Sequence, residues 1–405
     1  MRQLLAILLA AAAQAQTFSQ RGFIETRATL YPQAGVNDSG HAVVDGLLRW
    51  EPSLDFGNGL RLHGAFDART DSHRMTERQA RFDWKDRGSQ RPAMSLRRLS
   101  AQWRRKNVTV EAGKQFIRWG KADILNPTDR FAPRDYLSVV DNDFLGVTAG
   151  RFTVESGGET LDLIVAPRFT PSRTPLFGQR WVVLPEALAA FGLIDEGARA
   201  PDRTQYGLRW NHLGKGYEIS GVVYDGFHHL PLLTGSFRPL ERAVAFQRTY
   251  PRLRLYGADA AVPLRWMTVK GEAAWFRSST TEADEYVLYV VQLERTRGEW
   301  VFVGGYAGEV VTQRRNPFAF APGRGFARSF LGRASYTIDT RRSLAVEAAV
   351  RQSGDGTWLK GEYSHQLASR WRTTASFTLI RGKQGDFIGQ FRRNSHGLLA
   401  LRYSF

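Results

Sequence analysis

The chain ends on Gly397-Leu-Leu-Ala-Leu-Arg-Tyr-Ser-Phe405, a segment that few architectures accommodate. Phe405, Tyr403, Leu401, Leu399 and Gly397 share one face of an extended strand. Ser404, Arg402 and Ala400 share the other, and only Leu398 breaks the polar side. Alternation with period two, finished by an aromatic ring, suits the closing strand of a membrane β-barrel. The apolar face meets lipid, the polar face meets a wet interior, and the ring sits at headgroup level. An edge strand of a soluble sandwich gains nothing from such an ending, and the rest of the chain repeats the pattern.

Residues 1–15 are expected to be a secretory signal peptide, leaving 16–405 as a single transmembrane β-barrel. Arg2 supplies a positive start, Leu4 to Ala13 an apolar stretch, and Ala13-Gln14-Ala15 a small-residue cleavage site. That stretch is too short to span a bilayer as a helix, and no other segment approaches the required length. Only 42% of the residues are hydrophobic, which fits a barrel because alternate residues alone face lipid. An exported chain without cysteine points to a large closed sheet held by backbone hydrogen bonds, not to a small disulfide scaffold.

In chain order, alternating segments are separated by short turns on one side and long polar loops on the other. The clearest hairpin turns at Gly57-Asn58-Gly59, where Leu60, Leu62, Gly64, Phe66 and Ala68 alternate with Arg61, His63, Asp67 and Arg69. Strands follow at Val108–Gly120, Val147–Val154, Thr160–Pro167, Gln205–Leu213 and Tyr217–Phe227, and onward to the closing strand. The count is about eighteen, to within two, with short turns assigned to the periplasm and long loops to the exterior. A barrel of that size leaves an aqueous channel, and no plug is expected before the first strand. Leu184–Leu193, with Pro185 and Glu186 near its start, reads as a short loop helix.

The one specific pattern is Gly113-Lys-Gln-Phe-Ile-Arg-Trp-Gly-Lys-Ala-Asp-Ile-Leu-Asn-Pro-Thr-Asp129. Gly113, Lys114, Gln115, Trp119, Gly120, Asn126, Pro127 and Asp129 resemble a motif of porin-like bacterial outer-membrane β-barrels. The resemblance implies the fold, the outer membrane of a Gram-negative cell and barrel-assembly machinery acting on the C-terminal strand. It implies little about the substrate. Asn126, Pro127 and Asp129 are turn formers whose side chains can bond nearby backbone. If the loop folds inward, it becomes a constriction carrying Lys121, Asp123, Asn126, Asp129, Arg130 and Arg134.

With 56 basic and 39 acidic residues the net charge is +17, which favours anionic partners. Export and dispersal of the charges argue against nucleic acid. The polar strand faces place Arg27, Arg49, Arg61, Arg98, Arg104, Arg209, Lys270, Arg333 and Lys360, with Arg69 and Arg402, along a lumen. Acidic residues such as Glu25, Asp45, Asp67, Glu111, Glu272 and Glu347 face them. Arg314, Arg315 and Arg324 read as a solvated loop touching lipopolysaccharide. His228-His229 read as surface residues, because adjacent strand residues point to opposite faces. No cofactor or metal is implied. The expected function is a passive channel for small hydrophilic, preferentially anionic solutes. Export of an anionic polysaccharide is the alternative within the same fold, and a rim-active hydrolase comes third, since no Ser/His cluster can be nominated.

Overall fold

The computed structural model describes residues 17–123, 125–183, 191–315 and 321–405. One closed antiparallel sheet is built from β1 (Thr17–Leu30), β2 (Ala42–Asp55), β3 (Leu60–Asp71), β4 (Met94–Arg105), β5 (Val108–Gln115) and β6 (Val147–Ser156). It continues with β7 (Glu159–Ala166), β8 (Gln205–Gly214), β9 (Tyr217–Phe227), β10 (Arg252–Pro263), β11 (Thr268–Arg277) and β12 (Glu285–Arg297). The last six are β13 (Trp300–Gln313), β14 (Ser329–Thr337), β15 (Arg342–Arg351), β16 (Gly356–Gln366), β17 (Trp371–Gly382) and β18 (His396–Ser404). Each strand pairs with the next, and β18 returns to β1 with Arg402 opposite Glu25, closing an 18-strand barrel. Phe405 finishes the seam by exchanging backbone hydrogen bonds with Gly22 at 2.9 and 3.0 Å. A Cβ on Gly22 would stand 2.5 Å from the Phe405 ring, so glycine is what admits the ring there.

Alternation dictates which side chains meet lipid. On β7, Leu161, Leu163 and Val165 are exposed, whereas Asp162, Ile164 and Ala166 are buried. This inverts a soluble protein, as expected when the outside is hydrocarbon and the inside carries the polar contacts. Aromatic rings mark the short-turn end, with Trp103, Trp210, Trp300 and Trp371 all exposed. Connections alternate between short turns, such as 106–107 and 298–299, and loops such as 72–93, 116–146 and 167–204.

Two expectations need correction, and a third falls mostly outside the described residues. β5 ends at Gln115, not Gly120, because residues 116–120 turn inward and leave the ladder. The outer half of the lumen is not open: infolded loops fill it with apolar clusters. One joins Ile117, Trp119 and Phe131 to Ile164, Val222, Tyr224 and Phe276, and another joins Val139 and Trp181 to Trp358, Ile380 and Phe391. The helix expected at Leu184–Leu193 falls largely on 184–190, outside the described residues, as does the expected signal peptide. Gly192 and Leu193 instead begin a strand (Gly192–Arg199) that pairs with Ala243–Thr249, itself paired with Leu232–Arg238 in a small accessory sheet.

Candidate functional site

The chain leaves the wall after Gln115, whose buried amide donates to the carbonyls of Ala149 at 2.9 Å and Glu111 at 3.3 Å. Residues 116–146 then run inside the barrel. The Trp119 indole donates to Asp162 on β7 at 2.8 Å. Its ring meets Phe131 edge-on at 5.5 Å, and Phe131 meets Tyr224 at 5.1 Å. Gly207 on β8 makes this approach feasible, because a Cβ there would fall 2.4 Å from the Phe131 ring and 2.6 Å from that of Trp119.

The motif residues brace this loop. Asn126 donates to the Ala122 carbonyl, and Asp129 accepts the backbone N–H groups of Trp119 and Gly120. From the wall, Glu272 on β11 accepts the N–H groups of Lys121 and Ala122 at 3.1 and 3.2 Å. The Lys121 ammonium lies 2.9 Å from Asp259 and 3.1 Å from Glu218. Asp123 takes Lys270 at 3.0 Å, and its N–H donates to Gln292 at 3.0 Å. Lys121, Asp123, Asn126 and Asp129 are therefore taken up in anchoring. Arg130 lies over the Phe276 ring at 4.8 Å and Arg134 over the Phe144 ring at 4.2 Å.

Further along, at the tip Val139–Asp143, the side chains of Asp141 and Asp143 are about half exposed, as is that of Asp123. Arg97 grips Asp143 with two bonds of 2.7 Å, and Asp141 reaches Arg27 at 3.3 Å. Behind the tip, Asp135 takes Arg91 at 2.8 Å and Arg173 at 3.1 Å, and Arg173 also reaches Asp86 at 2.7 Å. Burial alone would raise the Asp135 carboxyl; Arg91 and Arg173 outweigh it and hold it well below the usual carboxylate range. This network fastens the loops 72–93, 116–146 and 167–183 to one another.

Each wall cation expected at the lumen has a carboxylate partner. Arg27–Asp45, Arg49–Asp67, Arg61–Asp55 and Arg402–Glu25 are directly opposed across strands, at 2.9, 2.7, 2.7 and 2.6 Å. Arg69 shares Asp67, and Arg98 takes Glu111 at 2.9 Å. Arg209 takes Asp259 at 3.3 Å, Lys270 also takes Glu294 at 2.8 Å, and Arg333 takes Glu347 at 3.4 Å. Lys360 takes Glu362 at 3.4 Å, while Arg104 and Glu155, exposed at the short-turn rim, approach to 3.5 Å. Asp141, Asp143 and Arg97 escaped the sequence reading. Arg97 sits at a register shift between β3 and β4, which turns both Arg97 and Arg98 inward against strict alternation.

Three cavities meet at the tip. An outer one of about 210 Å³ has Val140 and Asn142 among its lining residues. One of about 200 Å³ lies among Arg27, Arg49, Arg69 and Arg97, and one of about 280 Å³ runs along Lys360, Arg372 and Arg402. Asp141 borders both inner cavities.

One surface expectation fails here, and another holds only for Arg314, which is exposed. His228 and His229 line the outer cavity, drawn in by loop packing. The His229 ring nitrogens lie 2.7 Å from the carbonyl oxygens of Thr170 and Arg130. Burial pushes His229 down to about 4; burial and then the Arg130 charge push His228 down to about 3. Arg324 also turns inward, to Asp284 at 2.9 Å and to Glu309, with its guanidinium over Tyr286. Arg315 folds back on the carbonyls of Ser278 and Thr280 at 3.1 and 3.2 Å. Among the described residues, no group of three or more His, Asp or Glu side chains is placed to hold a metal.

No family model and no curated protein matches the chain in sequence. Solved structures match it in shape. A BenF-like porin from Pseudomonas fluorescens Pf-5 gives a TM-score of 0.55 at 11% identity, over 96% of this chain and 97% of that one. Pseudomonas aeruginosa OccK2 (OpdF), in complex with glucuronate, gives 0.54 at 10% identity over 97% of both chains. Acinetobacter baumannii OccAB3 gives 0.54 at 10% identity, over 96% of this chain and 99% of that one. At such identities the likeness is one of architecture: the chain has the fold of the outer-membrane porins.

Proposed function

We propose that the protein is an outer-membrane channel of the porin type. It passes small hydrophilic solutes passively and prefers anions mildly, most of all at low ionic strength. The observation that carries this reading is the tip Val139–Asp143, set where the outer cavity meets two inner cavities rich in arginine. A solute crossing the barrel passes that tip, where Asp141 is paired with Arg27 beside Arg402. The wall charges are largely paired, so selectivity comes from the smaller set of cations without a carboxylate. Arg130 and Arg134 belong to that set: among the described residues neither makes an ion pair, and the Arg134 guanidinium donates to the Asn142 amide oxygen at 2.8 Å. The glucuronate held by the OccK2 neighbour shows that this fold can hold an organic anion, which supports the reading. The infolded loops weigh against export of a bulky polysaccharide, which needs an uninterrupted bore.

Single-channel conductance in a salt gradient tests the proposal. A reversal potential toward anions is expected, fading as salt rises and the field is screened over about 8 Å at physiological strength. Arg130→Glu with Arg134→Glu should move it toward cations. A cation-selective wild type would overturn the charge argument.

A further inference from the structure

The outer cavity differs from the rest of the lumen in two independent ways. Its wall is mostly apolar, with Phe276, Tyr286, Phe326, Trp358 and Phe391 around it. A channel for purely hydrophilic solutes has no use for such a surface, which water wets poorly. The cavity also gathers buried polar atoms that lack partners. Arg130 Nε, His228 Nε2, Trp358 Nε1 and Asn126 Oδ1 each make no hydrogen bond. All four residues line this one cavity. Unpaired buried polar atoms are rare in folded proteins, and each needs a physical account. Water could satisfy the four atoms but leaves the aromatic wall unexplained.

The charges narrow the chemistry. Arg324 is neutralised by Asp284 and Glu309, whereas Arg130 makes no ion pair among the described residues; Arg134, which also lines the cavity without an ion pair, has its guanidinium on Asn142. The Arg130 guanidinium keeps a buried, unused donor in its Nε and lies on the Phe276 ring, and the residue lines the cavity. A guanidinium without a carboxylate, beside an indole N–H and aromatic faces, is complementary to one anionic head on an apolar, ring-sized body. We propose that the outer cavity is a saturable site for an amphipathic monocarboxylate, with the carboxylate at Arg130, the apolar body against Trp358 and Phe326, and the indole N–H of Trp358 as a second donor. This rests on the channel reading above and replaces its indifferent small anion with a defined solute class. Val140 and Asn142 then separate a site that selects by apolar contact from inner cavities that select by charge.

The test is current interruption in single-channel recordings of the full barrel, with four probes added on the loop side. These are cyclohexanecarboxylate, acetate, gluconate and the uncharged cyclohexanecarboxamide. Cyclohexanecarboxylate should interrupt the current at concentrations about tenfold or more below acetate and gluconate, since only it buries a ring. The amide should be weak, since it lacks the charge. Trp358→Phe keeps a ring but removes the N–H, and should weaken cyclohexanecarboxylate several-fold. Arg130→Gln should erase its advantage over the amide. Gluconate acting as well as cyclohexanecarboxylate would overturn the apolar site while leaving an anion channel in place. Equal action of the amide would overturn the role of Arg130. A barrel that conducts nothing would remove the channel reading, and this inference with it.

Discussion

Glu272 on the barrel wall holds Thr128 of the infolded loop twice, accepting its backbone N–H and its hydroxyl at 2.8 Å each. The same carboxylate takes the N–H groups of Lys121 and Ala122. Glu272→Ala would leave these three buried N–H groups without an acceptor, each at a cost of about 1–3 kcal/mol. The loop should detach before the barrel does. Single-channel conductance should rise and become noisy, while the β-rich circular dichroism stays. An unchanged conductance would mean the loop holds without Glu272.

Asp141 of the loop tip borders both inner cavities and faces Arg27 from within the lumen, as Glu25 does from the wall. Asp141→Asn removes a negative charge without changing shape. The reversal potential should move further toward anions, with the larger shift in low salt, where screening is weakest. A shift toward cations would place the tip away from the permeation path.

Gly207 faces the Trp119 and Phe131 rings with no space for a side chain. Gly207→Val should push both rings away from β8, an overpacking that costs about 1–3 kcal/mol. Limited proteolysis in 116–146 should speed up and the thermal midpoint should fall. The slow migration of unboiled barrel on gels should survive. Wild-type protease resistance would show that the loop is held elsewhere.

Acidification should act through His228. Its folded pKa, about 3, lies below its ordinary value of 6.5 because burial and Arg130 disfavour the charged ring. The unfolded chain therefore takes up the proton first. The stability contributed by the neutral ring is complete above about pH 6.5 and is lost as pH falls toward 3, by at most about 1.4 kcal/mol per pH unit. Loop opening followed by hydrogen exchange should show this slope between pH 6.5 and 4 in the wild type. The slope should be smaller in His228→Phe; equal slopes would point to another group, with His229 next in line.

The strands were legible because the membrane enforces one rule along the whole wall. On β7 Leu161, Leu163 and Val165 turn to lipid in strict alternation, and the period of two shows it without knowledge of any neighbour. Loop placement obeys no such local rule. Ala122 meets Glu272 across 150 positions and Asp123 meets Gln292 across 169, so nothing near either residue announces the contact. The Asn-Pro-x-Asp pattern drew attention to the right loop, although its own side chains brace the turn and the exposed tip lies beyond it. Arg97 was invisible because a bulge overturns alternation at that point. His228 and His229 lie past the end of β9 at Phe227, where strand periodicity no longer decides which way a side chain points.

The seam between β1 and β18 has a consequence for how such a molecule comes into being. Arg402 and Glu25 lie 377 residues apart, and loop-closure entropy weighs against so distant a meeting until the strands between them are in register. The ring is therefore completed last. Every earlier species carries open strand edges, the features that invite pairing with a foreign chain. Assembly in isolation sets correct closure against aggregation. A surface that occupies an open edge until the molecule's own partner arrives would change the outcome of that contest without contributing a single contact to the finished barrel.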